Sequence, residues 1–442
     1  MRVVPQEVFL HGSGRLPEYV FSVDICCSFE DGIIRVATGG ADPVARVWGL
    51  DENLCTLVFR ADLSGHSRGV NCVRFSPHRN LATASDDGQI LLWRLSGSLA
   101  SFGSNENSKE SWTAFKKLNC LDEISHISWS PCGSQLAASL SREMGVVFDT
   151  ISGRALQRLD GHSGRVDGIA WDPLGEFVAS HSSDRSVRIF GRAKKKKSWY
   201  AKASFREVEG TCSGKIKDDI GRKGPKLFMS ESHFTSDPTA HFFKRLEFST
   251  DGSMLAVPGG ILTQGSNWQF GLHLFSRQNF VTNAPPTASI PTADSPCVAV
   301  RFHPLMWTGE TSEGFSIFAV VCVNFVAIYN SRQLRPLWLF TDLHCTALQD
   351  AAWTDDGQHL IVVSSDGFAT VIKFEEGDLR GTPIAKVVER NTSMEPVETV
   401  DEDMNCSTPI RETKFDSAVD VEQVVPPNAE VKRRKITPVL IS

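Results

Sequence analysis

The chain has 442 residues, and 46 Lys and Arg stand against 52 Asp and Glu, which gives a formal net charge of -6. This balance argues against a protein whose main role is to grip naked nucleic acid, since a strongly basic domain would be expected there. No apolar run approaches the roughly eighteen residues that span a bilayer, and none of the 11 Cys forms a Cys-x-x-Cys pair, so we predict no membrane segment, zinc site or disulfide framework.

Taken in chain order, the sequence repeats. A unit near the N-terminus uses residues 20–25, 36–40 and 45–48. It contains Asp42 before the last of these segments and ends with Trp48. The second unit is clearer: Gly65-His66 is followed by apolar residues 70–75 and 81–85, the turn with Asp87, and residues 90–93 ending in Trp93. Each unit indicates short strands joined by turns, with an aromatic residue closing the third strand.

The same order of elements returns through residue 374. The fourth unit repeats it most clearly, with His162, Asp184 and a closing Phe190, whereas the third, fifth, sixth and seventh keep mainly the strand pattern. In the sixth unit the apolar run 318–329 is predicted to be one buried strand. Seven such units are typical of an all-β fold, the seven-bladed WD40 β-propeller. Residues 3–10 precede the first unit and are expected to supply the outer strand of the last blade, which would close the ring. The propeller is predicted to cover residues 1–380.

Asp42, Asp87 and Asp184 each stand six residues before the closing aromatic residue of their unit. At that point an Asp can hydrogen-bond into its own turn, and in WD40 proteins it also holds the His of the Gly-His pair. By this pattern only Asp87 with His66, and Asp184 with His162, keep both partners. We interpret these pairs as structural rather than catalytic, and no catalytic, metal-binding or cofactor-binding residue is predicted.

A basic insertion is predicted between residues 191 and 240. It opens with the run Lys194, Lys195, Lys196 and Lys197. Such a run can be a nuclear import signal, a weak contact to DNA or an acidic protein, or a solvated hairpin, and the sequence leaves these alternatives open.

The composition changes after the propeller. Residues 381–442 are predicted to form a disordered, acidic tail, because this segment has too few apolar residues to bury a core. The tail ends with a basic and apolar motif at 432–441, which includes Arg433, Arg434, Ile436, Thr437, Pro438 and Val439. This motif suits an extended peptide that adds to the sheet edge of a partner, although an import signal with an apolar end is the alternative.

Several stretches carry a family resemblance. Residues 71–77, 171–175, 183–185 and above all 242–248, with the sequence Phe-Phe-Lys-Arg-Leu-Glu-Phe, resemble the middle WD40 subunit of chromatin assembly factor 1. A related family is that of the HIRA-type histone chaperones. Both families carry a short tail motif of basic residues followed by Ile-Thr-Pro that binds the anti-silencing-function histone chaperone, and the C-terminal motif of this chain is similar to it, with Lys435 interposed.

The resemblance implies a nuclear, non-catalytic subunit of a complex that deposits histone H3–H4 during replication and repair. The implied partners are the large subunit, the small WD40 histone-binding subunit, the anti-silencing-function chaperone and histone H3–H4, directly or indirectly; neither a membrane nor a small-molecule substrate is implied. Two alternatives remain. A HIRA-type subunit acting outside replication is expected to continue far beyond residue 442, and a generic WD40 adaptor would serve, for example, as a ubiquitin-ligase substrate receptor.

Overall fold

A computed structural model describes residues 1–7, 10–12, 17–96, 109–120, 122–193, 198–205, 243–264, 267–292, 294–309 and 314–384, and the backbone of 439–440. These ranges contain thirty β-strands and one four-residue helix, α1 (Asn279–Thr282). Among the described residues, no helix has the length and apolar character needed to cross a membrane. The all-β fold predicted from the repeats is therefore confirmed.

The strands form seven antiparallel sheets, which are the blades of a propeller. The N-terminal strand is β1 (Arg2–Pro5). Blade one comprises β2 (Val20–Cys26), β3 (Arg35–Gly40), β4 (Val44–Asp51) and β5 (Thr56–Ser64). Blade two comprises β6 (Val70–Phe75), β7 (Leu81–Ser85), β8 (Gln89–Ser96) and β9 (Ser111–Asn119). Blade three comprises β10 (Ile124–Trp129), β11 (Gln135–Leu140), β12 (Gly145–Asp149) and β13 (Ala155–Leu159).

The remaining four blades follow in the same order. Blade four comprises β14 (Val166–Trp171), β15 (Phe177–Ser182), β16 (Ser186–Arg192) and β17 (Trp199–Phe205). Blade five comprises β18 (Glu247–Phe248), β19 (Met254–Gln264), β20 (Asn267–Ser276) and β21 (Ala288–Pro291). Blade six is built on β22 (Cys297–Thr308), β23 (Gly314–Cys322), β24 (Phe325–Asn330) and β25 (Pro336–Thr341). Blade seven contains β26 (Leu348–Trp353), β27 (His359–Ser364) and β28 (Ala369–Lys373).

Two blades recruit strands from distant parts of the chain. β1 pairs with β28, with Val3 opposite Ile372, so the N-terminus supplies the outer strand of blade seven. Blade six gains β29 (Thr382–Ile384) beside β22 and β30 (Val439–Leu440) beside β25, which makes it a six-stranded sheet.

The hydrophobic core lies between the blades rather than within any one of them. The described residues form seven large clusters of buried side chains, and each cluster joins two neighbouring blades. One of these clusters packs Val23 and Trp48 of blade one with Ile361 and Val371 of blade seven, which completes the circle. The inner strands are buried on both faces for this reason, and they read as continuous apolar runs in the sequence.

Three details differ from the sequence prediction. Each blade has at least four strands rather than three. The sequence missed the outer strands, such as β9 and β13, because they are half exposed and lack a clear apolar pattern. The run 318–329 is not one strand: β23 ends at Cys322, the chain turns, and β24 begins at Phe325 and pairs back on β23. The predicted insertion also begins too early, since Trp199–Phe205 is the outer strand of blade four.

Candidate functional site

Four blades carry a repeated polar contact, which we call the latch. In each latch a His that precedes the innermost strand meets the Asp of the turn before the third strand. The His Nδ1 to Asp carboxylate distances are 2.6 Å for His11–Asp42, 3.0 Å for His66–Asp87, 3.1 Å for His162–Asp184 and 3.1 Å for His344–Asp366. A hydroxyl lies on the other ring nitrogen of each His: Thr38, Thr83, Ser180 and Thr370, at 2.7–3.0 Å.

The donors and acceptors of the latch form a directed chain. A carboxylate only accepts, so the Nδ1–H of the His donates to the Asp, and Nε2 accepts from the hydroxyl. In blade two the indole N–H of Trp93 then donates to Thr83 at 2.9 Å, and Trp48 does the same to Thr38 in blade one. Both ring nitrogens of the His are therefore occupied by the blade itself, which is the arrangement of a structural contact.

The prediction that only two units keep both partners of the latch was wrong. Asp42 finds His11, and blade seven holds the complete pair His344–Asp366. The sequence pattern missed both because neither His follows a Gly: His11 precedes Gly12, and His344 follows Leu343. His11 also reaches across 31 residues, against 21 for His66, so a fixed spacing does not find it.

Burial and charge shift the pKa values of the latch residues in opposite directions. Burial lowers the pKa of His66 in spite of its Asp partner, so the imidazole is neutral at pH 7. Burial would raise the pKa of Asp42, but His11 and Arg46 outweigh it and bring that pKa to about 2. In blades one and two the latch is thus a neutral His held by a charged Asp at pH 7.

A second polar network occupies the centre of the ring. Asp350 of β26 is fully buried, and three arginines surround its carboxylate: Arg301 at 2.7 Å, Arg74 at 3.1 Å and Arg245 at 3.3 Å. Burial alone would raise the pKa of Asp350, but the three guanidinium groups hold it well below its usual range. One acid of blade seven therefore ties together blades two, five and six.

Arg245 belongs to the distinctive stretch 242–248, of which Phe242 lies outside the described residues. Its guanidinium donates to the carbonyls of Gln349, Phe21 and Asn71 at 2.8–3.1 Å, which brings blades seven, one and two to the same side chain. Arg245 also lies 4.4 Å from the ring centroid of Phe243.

The backbone beside Arg245 packs just as closely. A Cβ at Gly168 of blade four would lie 1.9 Å from the Lys244 carbonyl oxygen, so that position accepts only glycine. The resemblance had marked this stretch as distinctive, and in the structure its Arg245 side chain lies at the centre of the ring. We call Arg245 the plug.

Two further carboxylates join neighbouring blades. Asp24 accepts the backbone N–H of Phe75 at 2.6 Å, and Glu247 accepts that of Phe302 at 2.6 Å. Burial raises the pKa of Asp24 to about 6 and that of Glu247 to about 7. These two groups therefore titrate close to neutral pH, unlike Asp350.

The predicted partner-binding residues are described only in part. Arg433, Arg434, Ile436, Thr437 and Pro438 lie outside the described residues, whereas the backbone of Val439 pairs with Leu339 of β25 in an antiparallel register. Lys194 to Lys197 also lie outside the described residues. Their flanking residues are joined by a backbone hydrogen bond of 2.8 Å from Ala193 to Ser198, between strands β16 and β17.

Comparison with known proteins agrees with this architecture. A family model described as the CAF1B/HIR1 beta-propeller domain matches residues 1–379. The chain is 32% identical to the chromatin assembly factor 1 subunit FAS2 homolog of Oryza sativa over 361 residues, which is 78% of this chain and 69% of that protein. It is 30% identical to a chromatin assembly factor 1 subunit of Gallus gallus over 413 residues (87% of this chain and 69% of that protein). It is 26% identical to protein HIR1 of Eremothecium gossypii, covering 88% of this chain and 49% of that protein.

Proposed function

The chain belongs to the CAF1B/HIR1 β-propeller family, and we propose that it is the middle, non-catalytic subunit of a nuclear complex that deposits histone H3–H4 on newly synthesised DNA. The observation that carries this proposal is the extent of the match. Residues 1–379 include four strands of each of the seven blades, the four latches and the plug formed by Arg245, so the likeness extends around the ring rather than over a few repeats.

In this role the propeller is a scaffold. Its centre is filled by Arg245, Asp350 and their partners, and its latches are occupied on both sides of each His. A ring held in this way offers its faces and rim to other proteins. We assign the large subunit of the complex to this surface, with the small WD40 histone-binding subunit as the third member.

The C-terminal motif is proposed to bind the anti-silencing-function histone chaperone by adding a strand to its sheet edge. Two observations support this. The segment carries cations at 432–435 directly before an apolar, β-branched end, and the backbone of Val439 and Leu440 is extended and pairs with the edge strand β25. Strand addition obtains its affinity from main-chain hydrogen bonds and its specificity from alternate side chains. Ile436 and Val439 would supply the apolar contacts, and Arg433 and Arg434 the charge.

The test is binding of a peptide spanning residues 424–442 to the purified chaperone by isothermal titration calorimetry. We expect micromolar binding that falls at least tenfold with Ile436→Ala and with the double change Arg433→Ala/Arg434→Ala. Thr408→Ala in a longer peptide is the matched control, since it lies outside the motif and should leave the affinity unchanged. Absence of binding by the natural peptide would remove the chaperone from the proposal and leave the propeller assignment to stand on the ring alone.

A second candidate role is that of a HIR1-type subunit acting outside replication. It is favoured by relatives named protein HIR1, which match at 26–27% identity. Affinity purification of the full chain, followed by mass spectrometry of the co-purifying proteins, separates the two roles. Recovery of a large chromatin assembly factor 1 subunit supports the first role, and recovery of HIR-complex proteins in its place supports the second.

A further inference from the structure

Three side chains that can bind a metal converge where blade seven meets blade one. Glu52 lies in the turn between β4 and β5, Asp356 lies in the turn after β26, and His359 is the first residue of β27. One ligand atom from each residue lies within 4.8 Å of the other two. We call this group the seam cluster.

His359 is the unusual member of the seam cluster. Its side chain is fully buried, and within the described part of the chain neither ring nitrogen has a hydrogen-bond partner of good geometry. The latch histidines differ in this respect, since both nitrogens of His66 are bonded. An unsatisfied buried polar group is destabilising, so the imidazole of His359 is suited to bind a ligand.

We propose that Glu52, Asp356 and His359 bind a zinc ion that bridges blades seven and one. Zinc takes imidazole nitrogen and carboxylate oxygen together, whereas Mg²⁺ and Ca²⁺ prefer oxygen alone. The cluster supplies one nitrogen and two oxygens, and water completes a tetrahedral set.

The distances permit this coordination after a small movement. Zinc bonds of about 2.1 Å place tetrahedral ligands about 3.4 Å apart, so atoms now within 4.8 Å must close by at most about 1.4 Å. Glu52 and Asp356 are exposed and can rotate, whereas His359 is fixed in the strand. Asp356 is already oriented, because one of its oxygens accepts the backbone N–H of Gln358 at 3.0 Å.

The surrounding charge favours a dication. The ammonium of Lys373 opposes a metal, since it donates to the Glu52 carbonyl at 3.1 Å. Two carboxylates against one ammonium still leave a net negative site.

The place of the cluster suggests what the ion would do. Blade seven is completed by the N-terminal strand, and hydrogen bonds link the N-terminal segment to blade one: Arg2 donates to the Asn53 carbonyl, and Gln6 bonds Cys55 and Leu57. A bound zinc ion would add a link at the point where the ring closes. Its expected effect is a higher melting temperature of the full chain.

The experiment is calorimetric titration of the chelator-treated full-length chain with zinc chloride. We expect one equivalent to bind with a Kd of micromolar or below, weakened at least tenfold by Glu52→Gln and abolished by His359→Gln. Glu52 is exposed, so its variant should fold as the natural chain does even where His359→Gln is destabilised. The matched control is His78→Gln, which removes an exposed His elsewhere on the ring and should leave binding unchanged.

Cobalt supplies an independent readout. One equivalent of Co²⁺ in a tetrahedral site should give visible absorption bands in the natural chain and in His78→Gln, and these bands should be lost in Glu52→Gln. The proposal is overturned if the natural chain binds no stoichiometric zinc, or if Glu52→Gln binds zinc and cobalt as the natural chain does.

Discussion

The centre of the ring and the latches are both polar, but they are organised in opposite ways. At the centre, one acid, Asp350, is shared by arginines from three other blades. In a latch, each Asp serves its own blade only, as Asp87 serves His66. A latch is therefore a local contact that repeats from blade to blade. The contact of Asp350 with its three arginines, which we call the joint, holds several blades together.

Asp350→Asn should therefore destabilise the ring more than any change to a latch. Losing one partner of a buried ion pair costs about 3–5 kcal/mol, and Asp350 balances three guanidinium groups. We expect a loss of that size in the free energy of unfolding, measured by urea denaturation of the full chain. Hydrogen exchange should rise together in the inner strands β6, β22 and β26.

The control for this prediction is Asp160→Asn, which changes the same charge at an exposed position. It should alter the unfolding free energy by no more than about 0.5 kcal/mol. A similar small loss for Asp350→Asn would contradict the idea of a shared central joint.

Asp87→Ala should have a smaller and more local effect. The change removes the partners of His66, of the Ser67 N–H and of the Gln89 N–H, all within blade two. We expect a loss of about 1–3 kcal/mol, with faster hydrogen exchange confined to blade two.

Blade three supplies the control for the latch. At the corresponding position it carries Arg142, which is 66% exposed and pairs with Asp122 at the surface. Arg142→Ala should cost less than about 1 kcal/mol, as exposed ion pairs generally do. If exchange rose across several blades in Asp87→Ala, the latch would have to be regarded as part of the joint.

The sequence predicted the latches far better than it predicted the centre, and the physical reason is distance along the chain. A latch is assembled within one unit, so the spacing of His66 and Asp87 repeats at His162 and Asp184. Asp350 meets Arg74 across 276 positions, and it sits in an apolar strand with no local motif. Only the closed ring brings these residues together, and seven-fold repetition alone does not say which inner positions carry charge.

The outer strands show a second limit of sequence reasoning. The inner strands are buried on both faces, so their apolar runs are visible in the sequence. An outer strand such as β9 has one neighbour and considerable exposure, and its pattern approaches that of a loop. The number of blades was therefore predictable, but the number of strands in each was not.

The carboxylates that join neighbouring blades also differ from Asp350 in how they respond to pH, and Glu247→Gln tests this difference. Glu247 has a pKa of about 7 in the folded chain, above the ordinary value of about 4.3. Between these values the folded chain holds a proton that the unfolded chain has lost, so the stability that this group contributes rises as the pH falls from about 7 to about 4.3. Glu247→Gln should lack this contribution.

The measurement is the difference in unfolding free energy between Glu247→Gln and the natural chain at pH 8 and pH 5. We expect the variant to be relatively more stable at pH 8 and to lose that advantage at pH 5. About a third of the Glu247 side chain is exposed, so the change should be smaller than the loss in Asp87→Ala. An equal difference at both pH values would show that Glu247 does not titrate in this range.

The smallest effect is expected from Trp93→Phe, which converts the latch of blade two to the form found in blade four. Blade four has Phe190 at the position in its third strand that Trp93 holds in blade two, and its His162 is still bonded to Ser180 and Asp184. In blade two the change removes the indole N–H that donates to Thr83 and part of a ring that is buried in the cluster between blades one and two. The Thr83 hydroxyl keeps its bond to His66 and the phenyl ring refills most of the site, so the loss should lie at the lower end of the range for Asp87→Ala, about 1 kcal/mol. Urea denaturation of Trp93→Phe and Asp87→Ala measures the loss in unfolding free energy of both variants on one scale. A loss in Trp93→Phe as large as that in Asp87→Ala would mean that the latch depends on the aromatic residue as much as on the Asp.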